Sequence, residues 1–412
     1  MSPDVNTDYD IVIAGGGMIG TSLGLALAPL GLRVAIVEAI PRGATQQPSF
    51  DDRSTALSRS SQRMFEAMGL WPDIVAAATP IRQIHISDKG RFGFAHIDAV
   101  EQQVEALGYV VINRVLGQVL QESLDRVEHL DVVCPGRITA VQLDEDKAIV
   151  TVDGQATALQ LSCKLLVAAD GANSSVRDMT GISASRVDYR QWAIVGNLQP
   201  GIPPANRAFE RFTEDGPIAM LPVAEQRAAF VWIRSPEEAQ RALAMTDEDF
   251  TRALQSAFGQ RLGRFSRVGR RAAYPLALSK ANGLISRRSV LVGNAAHGLH
   301  PVAAQGFNLG MRDVAALCDC IADSRGEGRR DCGRAAVLEN YAEWRRPDHE
   351  KLVRFTDGIV QLFGDSRPAV RFLRDLGMLG FDFIPGVRRI FAKHTMGLAG
   401  RLPRLSRGVP LS

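Results

Sequence analysis

The feature that most limits how this chain can fold lies near its N-terminus, where an apolar run leads into a glycine-rich turn. Residues 11–14 are continuously apolar, and Gly15, Gly17 and Gly20 follow with the spacing GxGxxG. The first glycine permits a tight turn, the second lets a pyrophosphate approach the backbone, and the third lets the next helix pack closely. The pattern predicts a buried parallel strand and a helix over about residues 18–28, as in a dinucleotide-binding fold.

The residues that follow this turn extend the pattern. The first helical amides, at Met18 and Ile19, should point at the phosphates of a bound dinucleotide. Gly31 ends the helix, residues 33–37 form a second strand, and Glu38 lies close to the spacing at which an acid binds the adenosine ribose. An acid there should repel a 2′-phosphate, which favours FAD or NAD over NADP. A glycine-rich turn without a ligand is the alternative, but it leaves the flanking strand, helix and acid unexplained.

A second stretch, near residue 290, has a related character. Residues 290–297 read VLVGNAAH, an apolar strand ending in small residues, and residues 300–308 read HPVAAQGFN. A chain that returns to its ligand in this way is typical of a bound flavin. A helix starting near Gly306 to Asn308 would direct its N-terminus at the flavin pyrimidine edge. An ordinary helix start after a proline-bearing loop is the alternative.

Composition limits the remaining possibilities. The net charge of +3 is too small to indicate a nucleic-acid partner, and 46% apolar with 23% charged residues is typical of a globular protein. The chain lacks an apolar segment long enough for a transmembrane helix and a basic leader, so we expect a cytoplasmic protein. The five cysteines are scattered without CxxC spacing and should be reduced thiols. His297 and His300 have no third ligand nearby in sequence, so we expect no metal.

Shifts in pattern along the chain predict its organisation. Residues 1–182 should form the first part of the cofactor domain, and residues 183–279 an inserted β-sheet domain that binds the substrate. Residues 280–345 should complete the cofactor domain, and residues 346–412 should form a helical C-terminal region. An alternating hairpin near residues 82–98 should join the inserted domain.

A third motif supports assignment to a known family. Residues 170–177 read DGANSSVR and fit the pattern DGxxSxxR, between the glycine fingerprint and the stretch from residue 293 to 301. With these three motifs in this order, the chain resembles the single-component FAD-dependent aromatic hydroxylases with the p-hydroxybenzoate hydroxylase fold. That resemblance implies an α/β protein: a Rossmann-type FAD-binding domain, an inserted β-sheet substrate domain and a C-terminal helical region.

Further segments are similar to the ubiquinone-biosynthesis branch of that family, in particular to hydroxylases of 2-polyprenyl-6-methoxyphenol. These segments are residues 51–58, 68–71, 84–93 and 304–313. Motifs and resemblance together give one set of candidate cofactor-binding residues. The set is Gly15, Gly17, Met18, Ile19, Gly20, Glu38, Arg53, Arg114, Asp170, Asn294, Pro301, Gln305, Gly306, Phe307 and Asn308.

The resemblance also implies individual roles. Arg53 and Arg114 should contact FAD, and Asp170 should border both the cofactor and the approach of the pyridine nucleotide. Asn294 should form a hydrogen bond with the ribityl chain.

The loop before the last helix of the cofactor domain should line the isoalloxazine, through Pro301 and residues 305–308. Two positions depart from the family pattern here. The usual aspartate is Asn294, which keeps hydrogen-bonding capacity but loses the charge. The glycine usual two positions before Gly306 is Ala304, which restricts the backbone of this loop.

The function implied by the resemblance is that of an FAD-dependent monooxygenase. With NAD(P)H and O2 it would convert 2-polyprenyl-6-methoxyphenol to the 1,4-benzoquinol through a flavin C4a-hydroperoxide. No second GxGxxG follows a strand, so NAD(P)H should bind only transiently. The alternatives are hydroxylation of another ubiquinone precursor or another aromatic compound, and a non-catalytic flavin-holding component of a quinone-synthesis assembly.

Two regions have less certain roles. Residues 216–222 resemble the strand that faces the flavin, so Met220, Leu221 and Pro222 are candidate substrate contacts, although such strands are also ordinary core. No residue is identified as a base for the phenol. The basic and aromatic stretch 367–407 should touch the surface of the inner membrane or a partner in a ubiquinone-synthesis complex. An ordinary helix that caps the cofactor domain is the alternative.

Overall fold

The computed structural model describes residues 5–43, 51, 53–90, 94–154, 158–298, 305–364 and 385–411. Three sheets and ten helices organise these residues. The helices are α1 (Met18–Leu27), α2 (Arg59–Ala67), α3 (Trp71–Val75), α4 (Asn113–Leu124), α5 (Ser175–Met179), α6 (Pro236–Ala244), α7 (Asp247–Phe258), α8 (Gln305–Gly326), α9 (Ala335–Gly364) and α10 (Pro385–Thr395).

The first sheet contains the predicted N-terminal strand. Its strands are β1 (Val5–Ala14), β2 (Val34–Val37), β8 (Leu130–Val133), β9 (Arg137–Leu143), β10 (Ala148–Asp153), β11 (Leu159–Ala168), β17 (Ile285–Ser286) and β18 (Ser289–Leu291). Five of them run parallel in the order β8-β2-β1-β11-β18. The hairpin β9–β10 continues the sheet by antiparallel pairing with β11.

The central strand β1 is buried on both faces. Ile11 and Ile13 share a core cluster with residues of α1 and α8, whereas Val12 and Ala14 belong to the cluster on the opposite face. Each fully buried aliphatic side chain stabilises the fold by about 1.5–3 kcal/mol. The buried parallel strand predicted from the apolar run is therefore confirmed, and it begins earlier than the run itself.

The second sheet is antiparallel except for one pair. Its strands are β5 (Gln83–Asp88), β6 (Phe94–Asp98), β12 (Ala184–Leu198), β13 (Arg207–Phe212), β14 (Ile218–Pro222), β15 (Ala228–Arg234), β16 (Ala272–Ala281) and β19 (His297–Gly298), in the order β19-β16-β12-β15-β14-β13-β5-β6. Helices α6 and α7 cover one face. The hairpin expected near residues 82–98 is β5–β6, and it joins this sheet through parallel pairing of β5 with β13.

A small third sheet lies between the two large ones. Its strands are β3 (Ser54–Ser58), β4 (Thr79–Ile81) and β7 (Gly108–Ile112), in the order β3-β7-β4. Ile81 and Val110 pack against Ala208 and Ala229 of the second sheet. This contact joins the second sheet to the third sheet.

The C-terminal residues dock on the rest of the protein. Ala392 and Met396 are buried against Ile97 and Leu107. The basic side chains of this region are partly engaged: Arg388 pairs with Glu101, Arg401 stacks on Trp344, and Arg404 pairs with Asp319 and Asp323. Of the apolar residues predicted to insert shallowly into a membrane, Phe381, Phe383 and Ile384 lie outside the described residues, whereas Phe391 packs against the cluster of Ala392 and Met396. Among the described helices, none has the length and apolarity needed to cross a bilayer.

Candidate functional site

Three adjacent strands of the first sheet end at the same edge. Ala14 pairs with Ala168, and Ala168 pairs with Leu291, so the carboxyl ends of β1, β11 and β18 lie side by side. The three motifs follow directly, at Gly15, Asp170 and Gly293. Ligands of open parallel sheets bind at this edge. The structure therefore brings the three motifs to one site.

The turn after β1 has the geometry of a phosphate cradle. Gly15 has a φ of +102°, which favours glycine, and a Cβ added to Gly20 would lie 1.9 Å from the Gly15 carbonyl oxygen. Gly17 is the N-cap of α1 and supplies no side-chain cap. Thr21 donates to the Gly17 carbonyl oxygen, so the amides of Met18, Ile19 and Gly20 precede the first intrahelical bond. These amides are placed to receive an anion.

Glu38 follows β2 and closes the same turn. Its carboxylate accepts hydrogen bonds from the backbone N–H groups of Gly16 (2.6 Å) and Ile40 (2.8 Å). A Cβ on Gly16 would lie 2.9 Å from the Glu38 Cβ, so the absence of a side chain there is required. A carboxylate offers about four acceptor positions, and two of them are left for the hydroxyls of a ribose.

The second motif packs directly on the first. Gly293 has a φ of +60°, and a Cβ there would lie 3.2 Å from Ile19 Cγ2. A Cβ on Gly310 of α8 would lie 2.8 Å from Ile19 Cδ1 and 3.1 Å from the Gly293 Cα. Asn294 is exposed in the short 3₁₀ turn Gly293–Ala295. The turn and both helices can approach this closely only because glycines stand at the contact.

Asp170 organises the turn after β11. Its carboxylate accepts hydrogen bonds from the Ser174 hydroxyl and from the Val176 N–H (3.2 Å). The buried Arg177 guanidinium donates from Nη1 to the carbonyl oxygens of Ala172 (3.2 Å) and Ala295 (3.3 Å). This bond from Arg177 to the second motif was not predicted as a contact, although the arginine belongs to the DGxxSxxR pattern.

A fully buried carboxylate, Asp313 of α8, lies behind the second motif. Its Oδ2 accepts from the Gly293 N–H (3.1 Å) and pairs with His297 Nε2 (2.9 Å). Its Oδ1 accepts from Arg345 Nε and pairs with His349 Nε2, both at 2.7 Å. The role of Asp313 could not be predicted from the sequence, because its partners on α9 are remote along the chain.

The ionisation states in this cluster follow from its surroundings. Burial alone would raise the pKa of Asp313, but its interactions with His349, Arg345 and His297 hold that pKa well below its usual value. Burial lowers the pKa of His349 to about 4, against the opposing effect of Asp313. At neutral pH the cluster therefore holds an ionised Asp313, paired with Arg345, and a neutral His349 that donates from Nε2.

Among the described residues, this cluster is also a candidate metal site. His297, Asp313 and His349 place one ligand atom each within 4.8 Å of one another. The sequence offered no third ligand beside His297, and the structure supplies two from α8 and α9. However, Asp313 already accepts four hydrogen bonds, one of them from the Arg345 cation. The donor set therefore fits a hydrogen-bonded ion pair better than a metal centre.

Arg53 and Arg114 come together at the edge of the third sheet. The Arg114 N–H donates to the Asp51 carbonyl oxygen (2.9 Å), and the Asn113 N–H donates to that of Arg53 (2.8 Å). The Arg53 guanidinium lies 4.6 Å from the ring centroid of Tyr274 on the second sheet. The two predicted cofactor contacts thus lie where the first and second parts of the molecule meet.

The start of α8 places the side chain of Asn308, a predicted cofactor contact, among protein partners. The side-chain oxygen of Asn308 accepts from the Ser58 N–H and the Ser61 hydroxyl, both at 2.8 Å, and its Nδ2 donates to the Ala56 carbonyl oxygen (2.9 Å). This amide ties α8 to β3 and α2 and is committed to protein partners.

The other predicted cofactor contacts in this loop differ in their burial. Gln305 is buried and Phe307 is half-buried. A Cβ on Gly306 would meet no atom of the described residues within 4 Å. Pro301 lies outside the described residues.

The predicted substrate strand β14 is also corrected in part. Met220 is buried in the cluster that includes Phe230 and Phe250, beneath α6 and α7. Successive side chains of a strand point to opposite faces, so Leu221 faces the third sheet, where it packs near Ile81. Pro222 shares the face of Met220. Met220 and Pro222 therefore face away from the cofactor region. The sequence does not indicate this, because a strand that is apolar on both faces shows no alternation.

Comparison with known proteins agrees with this architecture. A family model described as FAD binding domain matches residues 8–356. Ubiquinone hydroxylase UbiL of Rhodospirillum rubrum is 36% identical over 98% of this chain and 93% of its own length. The 3-demethoxyubiquinol 3-hydroxylase of Escherichia coli is 32% identical over 95% of this chain and 100% of its own length.

Solved structures show the same fold. p-Nitrophenol 4-monooxygenase PnpA from Pseudomonas putida superposes with a TM-score of 0.79 over 96% of this chain and 100% of its own, at 19% identity. PqsL of Pseudomonas aeruginosa has a TM-score of 0.73 over 91% of this chain and 100% of its own, at 23% identity. The predicted α/β architecture of the p-hydroxybenzoate hydroxylase type is confirmed.

Proposed function

Since this chain belongs to the FAD binding domain family and is an FAD-dependent monooxygenase, we propose that it hydroxylates the ring of a polyprenylated phenol in ubiquinone biosynthesis. The convergence of three motifs at one sheet edge, around the carboxyl ends of β1, β11 and β18, carries the proposal. Relatives that match nearly the whole chain and are named ubiquinone hydroxylase or demethoxyubiquinol hydroxylase support this substrate class.

The residues at this edge fit FAD. The amides that begin α1 would hold the pyrophosphate, and Glu38 would bind the ribose hydroxyls of the adenosine half. Asn294, exposed in its turn, would bind the ribityl chain, and the backbone at Gly306 would border the ring system. Bound FAD supplies the hydride acceptance and oxygen activation that amino-acid side chains lack.

The protein itself would orient the partners and exclude water. The second sheet covers the site and is anchored by Arg53 against Tyr274 and by the third sheet. NAD(P)H would approach beside Asp170 and leave after reduction, since the sequence holds no second dinucleotide fingerprint. The reaction assigned in this proposal is conversion of 2-polyprenyl-6-methoxyphenol to the 1,4-benzoquinol, with the polyprenyl tail presented from a membrane or a carrier.

The test uses the purified holoenzyme and a phenol that carries two prenyl units. We expect NADH or NADPH to bleach the flavin under anaerobic conditions, and one atom of ¹⁸O₂ to appear in the product by mass spectrometry. Hydrogen peroxide without a hydroxylated product would indicate an oxidase. Failure of both nucleotides to reduce the flavin would favour a non-catalytic flavin-holding component. Quinone intermediates that accumulate in a deletion strain would identify the ring position.

A further inference from the structure

A row of six side chains crosses the second sheet on the face opposite α6 and α7. We call it the groove row, and its members, paired in register, are Ile86, Glu210, Ala219, Val231, Val195 and Ala272. Every member is partly accessible. With neighbouring strands about 4.8 Å apart, the row spans roughly 24 Å. This length suits a ring and the first part of an apolar tail.

The groove row lies between the two contacts that join the second sheet to the cofactor part. On one side, the adjacent row contains Ala208 and Leu221, which pack near Ile81 and Val110 of the third sheet. On the other side, the adjacent row ends at Tyr274 beneath the Arg53 guanidinium, a predicted FAD contact. In the flanking rows, Ala208 and Ala229 are buried against the third sheet, and Ala193 and Ile233 are buried in a cluster with Leu276, whereas every member of the groove row keeps accessible surface. The groove row therefore lies on the face of the second sheet that meets the third sheet and Arg53.

Glu210 is the single charged member of the groove row. Its side chain is half-buried, and its neighbours in the row are apolar. Burial raises the pKa of its carboxyl to about 7. An acid without a compensating cation is costly to keep in such surroundings, so its presence calls for a chemical explanation.

The charged and titratable neighbours of Glu210 are placed as follows. His85 and Arg211 occupy the opposite face of their strands, in register with Phe209 and Ile218. On the same face, β5 contributes Asp88, two residues beyond Ile86 and in register with Phe212. β14 and β15 contribute apolar side chains to this face, and the third sheet meets it through Ala56, Ile81 and Val110. Among the described residues, burial alone accounts for the raised pKa of Glu210, without an opposing effect from a cation.

We propose that Glu210 accepts the proton of the substrate's phenol hydroxyl, while the groove row holds the ring and the first prenyl units. This inference rests on the proposed function and names the base for that reaction. The phenol O–H bond breaks, its electron pair stays on the phenol oxygen, and the proton forms an O–H bond with the Glu210 carboxylate. The resulting phenolate ring is richer in electrons and reacts more readily with an electrophilic oxygen. The proton then leaves to water.

The chemistry of the groove favours this assignment. A site that binds an apolar ligand is mostly apolar and has a few polar groups that fix its orientation. Here one carboxylate stands in an apolar row, which matches a molecule with one phenol hydroxyl and a hydrocarbon tail. A general base works best when its pKa lies near the working pH.

The first test compares Glu210→Gln with wild type, using the holoenzyme and a phenol with two prenyl units. We expect kcat/KM for hydroxylated product to fall about 100-fold at pH 8, the lower end of the usual effect of a general base. The rise of kcat/KM through pH 7 should disappear. A ring-fluorinated analogue that is already ionised at pH 8 should restore the variant to near the wild-type rate. Glu225→Gln, at an exposed turn position paired with Arg227, is the matched control and should behave as wild type.

The second test needs no turnover. An acid whose pKa is raised on folding stabilises the protein less as pH rises from its ordinary value of 4.5 to about 7. The thermal midpoint of Glu210→Gln should therefore rise relative to that of wild type as pH increases across that interval. Above it, the difference between the two midpoints should stay constant. Glu225→Gln should show no such gain.

The outcomes separate the two proposals. If wild type forms hydroxylated product and Glu210→Gln keeps its rate and pH profile, the role of Glu210 is overturned and the proposed function stands. A Glu210→Gln defect that the fluorinated phenol does not relieve also overturns it, since that defect would be structural. If wild type forms no hydroxylated product, the proposed function fails and the assignment of Glu210 fails with it.

Discussion

The backbone N–H of Gly293 donates a hydrogen bond of 3.1 Å to the buried carboxylate of Asp313. Gly293 begins the turn that we propose binds the cofactor, and Asp313 lies behind it on α8. Arg345 of α9 neutralises the other carboxylate oxygen at 2.7 Å. The turn is therefore held in place by a buried ion pair that does not itself face the ligand.

Replacing Asp313 by Asn should weaken both the fold and cofactor retention. The amide keeps one acceptor for Gly293 but places an N–H₂ group against donors, and it leaves the Arg345 charge without its carboxylate. Breaking a buried pair in this way costs about 3–5 kcal/mol. Urea unfolding and the FAD-to-protein absorbance ratio would measure the two effects. Asp323→Asn, which removes a half-exposed partner of Arg404, should cost less than about 1 kcal/mol, and an equal loss in both variants would contradict the assignment.

His349 should make stability depend on pH. Its pKa falls to about 4 in the folded protein, so between that value and its ordinary 6.5 the unfolded chain binds more protons than the folded one. The free energy of unfolding should therefore decrease as pH falls from 6.5 towards 4, by at most about 1.4 kcal/mol per pH unit. His349→Gln keeps an N–H donor for Asp313 and should flatten this slope in urea titrations. An unchanged slope would show that His349 titrates normally.

Gly20→Ala should abolish FAD binding. The new Cβ would lie 1.9 Å from the Gly15 carbonyl oxygen, so α1 would have to move away from the turn that its amides complete. Gly326→Ala, at the end of α8 where a Cβ meets nothing within 4 Å, is the control and should retain FAD. The flavin absorbance of the purified variants is the measurement. Full FAD occupancy in Gly20→Ala would refute this geometry.

Asp170→Ala should slow flavin reduction by NAD(P)H more than it lowers FAD content. The carboxylate borders the proposed approach of the reductant, and it also accepts bonds from Ser174 and Val176. Asp170→Asn keeps an acceptor for these partners and removes the charge, so it separates the two effects. Anaerobic stopped-flow bleaching would give the rates. Wild-type rates in both variants would exclude a role in reduction.

The predicted membrane contact can be tested on the exposed basic side chains of α10. Arg388, Arg401 and Arg404 are engaged within the protein, whereas Arg389 and Lys393 are exposed beside Ile390, which is 61% exposed. We expect Arg389→Glu with Lys393→Glu to weaken binding to anionic vesicles, since each basic residue near such a surface contributes about 1 kcal/mol.

Co-sedimentation at low salt would test this prediction. Arg264→Glu with Arg270→Glu makes the same charge change at exposed positions of the second sheet's connections and should have a smaller effect. Absence of vesicle binding by the wild-type chain would leave delivery of the substrate to a partner protein.

Local patterns in the sequence predicted some elements closely. The pattern of residues 247–258 predicts a helix and that of residues 228–234 predicts a strand, and the structure has α7 and β15 there. Residues 110–124 fitted one amphipathic helix, but residues 110–112 belong to β7 and the helix begins at Asn113. The β-branched residues there pair with β3, a partner remote in sequence. A helical pattern cannot report such a partner.

The same limit explains what was missed in the candidate site. The glycine turn and Glu38 were predicted because they lie within one strand–helix–strand unit. The contacts of Asn308 with Ser58 and of Asp313 with His349 join separate elements, and nothing in their spacing indicates them. The groove row was missed for a further reason: its members come from six strands, and only the sheet register brings them together.

The dependence of the Gly293 turn on α9 has a consequence for the synthesis of the protein itself. Arg345 and His349 are the partners of Asp313, and Tyr341 of the same helix donates to the Leu291 carbonyl oxygen at the end of β18 (2.9 Å). A nascent chain still short of α9 carries the glycine fingerprint, Glu38 and Asp170 but leaves Asp313 without its counter-charge. We therefore expect FAD to be enclosed in its final geometry only after this helix has emerged from the ribosome, which would make loading of the cofactor a late event in translation.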